Sequence, residues 1–321
     1  MDKTVENRQS IGTLLIGKFG VIIGLVVLCA IFSIFSEAFR TPGNMRNILI
    51  QAGTNSIIAA GMTFVILAAG IDLSVGSIVA LSAVLGASIM KSNDNVPLGI
   101  AVALAVGIFL GLVNGFIIAY MDFPPFIVTL STMWLYRGSA YVFTNGQAIV
   151  NLPDGNMTLA LGRFLEIPYI VWLIILVYIV CFVVLARMTF GRKVYAIGDN
   201  AESARLSGIN VRAVKAVVYT ISGFLASLGG IILMSRLNSG QPIAGQSFEM
   251  LAIAAAVIGG TSLTKGGVGS IGGTLIGALF ISALMNGLII LNVSAFWQQV
   301  VMGIVVLIAI GIDKYRKNLG T

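Results

Sequence analysis

What most constrains this chain is a recurrence. Apolar runs return ten times, at 19–36, 48–69, 75–90, 98–120, 126–144, 169–187, 216–234, 249–264, 270–291 and 296–312. A helix of roughly 17–25 apolar residues matches the hydrocarbon thickness of a bilayer. Backbone amides find no water in that layer, so such segments must close their hydrogen bonds within themselves, as helices do. The expected fold class is therefore all-α, a polytopic membrane protein of about ten transmembrane helices. The third and eighth runs are short and interrupted by glycine. Composition agrees, since 58% of the 321 residues are hydrophobic and only 10% are charged, more apolar surface than a soluble domain can hide. A cleavable signal is the rival reading of the first run. It fails because the run is long, lacks an A-x-A site and is followed by many more spans.

Lysine and arginine then set the orientation, because cytoplasmic loops collect them. With the N-terminus inside, the inner side holds Lys3, Arg8, Lys18, Arg187, Arg192, Lys193, Arg205, Arg212, Lys215, Lys265, Lys314, Arg316 and Lys317, 13 of 19 basic residues. The outer side holds Arg40, Arg46, Lys91, Arg163 and Arg236. Ten spans bring both termini to the cytoplasm. The chain divides into an N-terminal cytoplasmic segment 1–18, a transmembrane domain 19–312 and a cytoplasmic tail 313–321. Within the domain, 188–215 is a cytoplasmic loop, and 145–168, with its prolines, glycines and asparagines, is an outer one. Net charge is +7, and its placement in inner loops points to topology and not to nucleic acid. There is no His, which removes the commonest proton shuttle and metal ligand; no metal or cofactor is expected. Cys29 and Cys181 lie in apolar runs without CxxC spacing and read as small hydrophobes. "VGSI" occurs at 75–78 and again at 268–271, too short an echo to define a repeat.

The inner loop is unusual. Gly191–Lys215 carries five basic and two acidic residues. Within it, "NAESARLSG" reads as one short helix. Asn200 can cap its start. Glu202 in the first turn and Arg205 toward the end suit the helix dipole, and Gly208 is placed to close it. So few helical residues are unstable alone in water, so the helix must dock on something or be a mere solvated turn. Ala201 and Ala204 share a face that would let a partner's backbone approach closely, and Ser203 lies between them.

The stretch "FGRKVYAIGDNAESARLSGINV" (190–211) resembles the cytoplasmic coupling loop of ABC-importer permeases, specifically the monosaccharide branch that includes ribose permeases. Glu202-Ser203-Ala204-x3-Gly208 is similar to its Glu-Ala-Ala-x3-Gly pattern, with Ser203 for the first alanine. "AAGMTFVILAAGIDLSVGS" (59–77) and "AAVIGGTSLTKGGVGSIGGTLIGAL" (255–279) resemble two further family stretches, in the same order and spacing. One departure is Thr264-Lys265, where the family runs directly into glycines. The resemblance implies a homodimer in the bacterial inner membrane, paired with a cytoplasmic ATP-binding subunit and supplied by an extracytoplasmic sugar-binding protein. The sequence agrees on one point: it has no G-x4-G-K-[ST] phosphate loop, so the ATPase would be another chain and this one a transport subunit, not an enzyme. Residues Asn200, Ala201, Glu202, Ser203, Ala204, Arg205 and Gly208 are then the ATPase-coupling element.

Polar groups in apolar runs are functional candidates. In "GIDLSVGS", Gly70, Asp72, Ser74 and Gly76 form a helix-cap or gating motif; Asp72 either caps a helix start through backbone N–H groups or serves gating or partner contact. Glu249 fits the first turn of the eighth run. Arg137, beside Trp134 and Tyr136, is either a pathway residue or a partner of helix-end carbonyls. Asn55, Thr63, Asn114 and Asn286, with Thr129 and Ser131, either bond between helices or line a path for a neutral polyol. The possible translocation path is thus Asn55, Thr63, Asn114, Arg137 and Asn286. Sparse fixed charge argues against ions or phosphorylated sugars. The alternatives are a permease of the same class for another pentose, a hexose or a branched-chain amino acid, and an ion-coupled secondary transporter, for which Asp72, Glu249 and Arg137 are the only material. A membrane-embedded enzyme fails for lack of a nucleophile motif or clustered carboxylates.

Overall fold

The computed structural model describes residues 11–318. Long helices follow the apolar runs: α1 (Ile11–Phe35), α2 (Pro42–Leu67), α3 (Val75–Asn93), α4 (Val96–Tyr120), α5 (Pro125–Thr144), α7 (Tyr169–Ala186), α10 (Val211–Leu237), α11 (Phe248–Ile258), α12 (Ile271–Ile290) and α13 (Ala295–Asn318). Six of these, α2, α3, α4, α7, α10 and α12, are long and apolar enough to cross a bilayer by length and composition. The chain is a multi-pass helical membrane protein. Of the expected N-terminal segment 1–18, residues 1–10 lie outside the described residues and the remainder already belongs to α1. The expected tail 313–321 is likewise helical through Asn318, because α13 runs on past its apolar part.

Two expectations are corrected in outline. The eighth run, expected to span 249–264, is a helix only to Ile258. Gly259 and Gly260 follow, with Gly260 at φ 90°, a left-handed conformation that ends the helix. The inner loop 188–215 is mostly helix: α8 (Thr189–Asp199) and α9 (Ala201–Leu206) occupy it and α10 begins at Val211. In α8, Gly191, Val194 and Ile197 are buried, the spacing of one helical face, while Arg192 and Lys193 remain exposed.

Small residues set the closest helix pair. On α4, Gly107, Gly111 and Gly115 recur every four residues and face α10; a Cβ on Gly111 would lie 3.0 Å from Gly223 Cα and 3.1 Å from Thr220 Cα. Such stripes let two backbones meet in a membrane. α2 lies at the centre, buried through most of its length between α10, α11 and α12.

Segment 145–168, expected as an outer loop, carries regular structure. Strand β1 (Ile149–Val150) pairs antiparallel with β4 (Ser239–Gly240), and β2 (Arg163–Phe164) with β3 (Ile167–Pro168) through a two-residue turn. A short helix α6 (Thr158–Leu161) sits between, its Ala160 N–H donating to Ser235 Oγ at 3.1 Å. Asn156 is buried and donates to Asn238 Oδ1 at 3.0 Å.

The "VGSI" echo is out of step: the first copy lies inside α3, whereas the second precedes α12 and supplies its N-cap, Ser270, whose hydroxyl accepts from Gly273 N–H.

Candidate functional site

The expected short helix exists as α9. Asn200 caps it, its side chain accepting from Ser203 N–H at 2.9 Å. At the other end Gly208 N–H donates to Arg205 O and Ile209 N–H to Ala204 O, both at 3.0 Å. This is the paired Schellman closure, which needs a left-handed residue; Gly208 supplies it at φ 82°. Glu202 and Arg205 form a bidentate pair at 2.6 and 3.0 Å. The hydrogen bond from Arg205 holds the Glu202 carboxyl below its ordinary range, and the same pair raises Arg205. Both groups are exposed, so the pair orients side chains more than it stabilises the fold.

The alanine face is corrected. Ala204 is buried in the chain's own core with Ile197 and Val214, so it helps seat α9 on α8 and α10. Glu202, Ser203, Arg205 and Leu206 face outward, and Leu206 is 76% exposed.

A second constellation lies where α2 breaks before α3. Asp72 is fully buried. Its Oδ1 accepts from Ser74 N–H at 3.0 Å and Ser74 Oγ at 2.6 Å, and its Oδ2 from Ser222 Oγ, on α10, at 2.8 Å. Ser74 Oγ accepts from Asn114 Nδ2, on α4, at 2.7 Å, and Asn114 Oδ1 accepts from Tyr136 Oη, on α5, at 3.1 Å. The three direct donors end on Asp72 and Asn114 backs Ser74, the arrangement a buried carboxylate requires, while Tyr136 Oη is shared with Leu110 O at 3.2 Å. Asp72 thus accepts a backbone N–H just ahead of α3, as its cap reading held, but its other two bonds come from side chains. The residue before α3 is Ser74, and Asp72 sits two positions earlier as the hub joining α3, α4, α5 and α10. Gly70 and Gly76 belong to the same passage: a Cβ on Gly70 would strike Tyr219 Oη, and one on Gly76 would strike Gly245 O and Glu249 Oε2.

Arg137, next to Tyr136 on α5, donates to Pro242 O at 2.7 Å, Ala244 O at 2.6 Å and Gly76 O at 2.9 Å. It bonds carbonyls, as one of its two readings held, though they belong to a loop and to the first turn of α3. The first turn of α3 and the turn segment before α11 thus meet at Gly76, Gly245 and the Arg137 guanidinium.

The remaining path candidates separate. Thr63 bonds Ala59 O at 2.8 Å and Thr274 of α12 at 2.7 Å, joining two helices. Thr129 bonds backbone of its own helix and Ile71 O, and Ser131 bonds Ile127 O. Asn55, on α2, and Asn286, on α12, are buried, and neither Asn55 amide atom nor Asn286 Oδ1 has a partner among the described residues. The sequence reading left out Ser222 and named Tyr136 only as a neighbour of Arg137; both complete the Asp72 hub from elements distant in sequence.

Residues 44–310 match the model of a family described as the branched-chain amino acid transport system / permease component. The chain belongs to this permease family. The permease is 47% identical over 301 residues to the ribose import permease protein of Bacillus subtilis (strain 168), covering 93% of each chain. It is 43% identical to the ribose import permease protein of Haemophilus influenzae (strain ATCC 51907 / DSM 11121 / KW20 / Rd), covering 100% of this chain and 99% of that one. It is also 36% identical to the L-arabinose ABC transporter permease protein of Azospirillum brasilense, covering 95% of this chain and 89% of that one. No solved structure matches the permease.

Proposed function

We propose that this permease forms, as two copies in a bacterial inner membrane, the translocation path of an ATP-binding-cassette importer for a neutral monosaccharide of the ribose kind. One observation carries the reading: near-full-length identity of 43–47% to proteins named ribose import permeases. Ten spans place both termini and α9 on the cytoplasmic side, where a separate ATP-binding subunit grips the outward face of α9. An extracytoplasmic binding protein delivers the sugar. Closure of the ATP-binding pair moves α9, and the helices pass from outward-facing to inward-facing.

Asn55 and Asn286 are the best remaining path groups, because the other polar candidates are committed to bonds that hold helices together. They act as weak neutral contacts. A hydrogen bond of this kind within a membrane is worth about 0.6–2 kcal/mol, and a few of them do not make a tight pocket. The isolated permease should therefore bind ribose only at millimolar levels or worse.

The test is reconstitution with both partners. Ribose uptake should require ATP and the binding protein together. Gly208→Leu should assemble but lose uptake. Its Cβ meets nothing of the chain's own within 4 Å, so the effect arises from the left-handed backbone or the docked partner. Gly208→Asn tolerates that backbone and should retain most activity. Uptake stopped by an ionophore but not by ATP depletion, or micromolar sugar binding by the permease alone in calorimetry, would refute the reading.

A further inference from the structure

Asp313, near the end of α13, collects four hydrogen bonds on one oxygen. Its Oδ2 accepts from Ser262 Oγ, Leu263 N–H and Thr264 Oγ at 3.1 Å each and from Thr264 N–H at 3.3 Å. These donors lie 49 to 51 residues earlier, in the glycine-rich turn between α11 and α12. Ser262 Oγ also accepts from Lys265 N–H at 3.1 Å. The turn thus wraps one carboxylate with amides and hydroxyls, a concave anion cradle filled by a side chain of the same molecule. Charge-assisted bonds of this kind are roughly twice as strong as neutral ones.

The other end of the same turn is fastened elsewhere. Gly267 N–H donates to Leu67 O, the last residue of α2, at 2.9 Å. Tyr195 Oη, on α8, donates to Gly269 O at 3.1 Å. Gly198 of α8 and Gly266 touch backbone to backbone: a Cβ on Gly266 would strike Gly198 O and lie 2.9 Å from Gly198 C. α8 continues into α9 through Asn200 alone. A displacement of α9 therefore has a continuous packed route through α8 to residues 266–269, and Asp313 pins the near side of that turn to α13. Thr264 and Lys265 lie within this clasp, and Thr264 supplies two of its four bonds.

We propose that Asp313 is a positioning residue of the transport cycle, whose carboxylate fastens the 262–265 turn to α13 so that movement of α9 is passed to the C-terminal helix. This rests on α9 being the element that the ATP-binding subunit moves. The clasp does not hold the fold together at large, since it joins one turn to one helix end. Its loss should uncouple hydrolysis from transport while leaving assembly intact.

The experiment uses the full complex of permease, ATP-binding subunit and binding protein in proteoliposomes, with ribose as solute. Uptake and ATP hydrolysis are measured together. Asp313→Asn should lower ribose moved per ATP about fivefold or more, the low end of coupling between sites, with hydrolysis and melting midpoint close to wild type. Asp313→Glu keeps the charge and should restore most of the ratio. Ser262→Ala combined with Thr264→Val removes the two hydroxyl donors from the other side and should reproduce the loss; adding Asp313→Asn to it should cost little more, as expected for groups acting as one unit. A wild-type ratio in both Asp313→Asn and the double variant overturns the proposal. So does a loss that tracks a falling melting midpoint and is not rescued by Glu, which marks a purely structural contact. If the wild-type complex shows no ATP-driven uptake, or Gly208→Leu leaves it intact, the reading of α9 fails first and takes this inference with it.

Discussion

At the scale of single residues, the chain places a fully buried carboxylate where donors from several helices converge. A buried carboxylate without partners is strongly unfavourable, and Asp72 meets this with three direct donors and a relay through Asn114 and Tyr136. The relay has a direction, and that makes it testable. Ser222→Ala deletes the only donor to Oδ2 given by the described residues and should destabilise by about 1–3 kcal/mol. Asn114→Asp should be worse, because it replaces an amide donor with a second carboxylate beside Ser74. The melting midpoint of detergent-purified protein should fall in the order wild type, Ser222→Ala, Asn114→Asp; equal midpoints for all three would mean that the hub contributes nothing. None of this pairing was visible in the sequence. Asp72 stood out as a charge between apolar runs, but Ser222 is 150 residues away, and a serine in a span carries no local mark of its partner.

At the scale of elements, the existence of each long helix was legible because an apolar run of spanning length has few alternatives in a bilayer. The ends were less so. The expected eighth run continued through Gly259 and Gly260 to Leu263 and beyond, while the helix stopped at Ile258 because Gly260 takes a backbone that a helix interior does not permit. α8 carried a helical face at Phe190, Val194 and Ile197, but its flanking Arg192 and Lys193 made the stretch read as a polar loop. The ends of α9 were legible since its cap, dipole charges and closing glycine are all local signals. Its inward alanine was not, since burial depends on what lies above. The α4–α10 contact gives a controlled test of packing. Gly111→Val should sharply lower the melting midpoint, because its side chain has backbone of α10 in the way. Gly303→Ala on α13, where a Cβ meets nothing within 4 Å, should be neutral or stabilising by up to about 1 kcal/mol, the helix propensity difference. Similar midpoints for the two variants would remove the close approach as the source of α4–α10 stability.

At the scale of the whole molecule, orientation rests on charge: six basic residues from Arg187 to Lys215 against Arg163 alone in 145–168. Single cysteines at Ser203 and Asp154, both exposed, should react with an impermeant maleimide from opposite sides of intact membranes; labelling from one side would reverse the assignment. Asn156 would be a poor reporter because it is buried. The same burial has a wider meaning. Segment 145–168 is tied down before any visitor arrives, by the β1–β4 pairing, by Lys91 Nζ donating to Val150 O at 2.9 Å, and by α6 seated on Ser235. A surface already rigid loses little configurational freedom when something lands on it. If the binding protein proposed above lands on this segment, its affinity is set by the side chains presented, and it can come and go repeatedly without the surface having to refold each time.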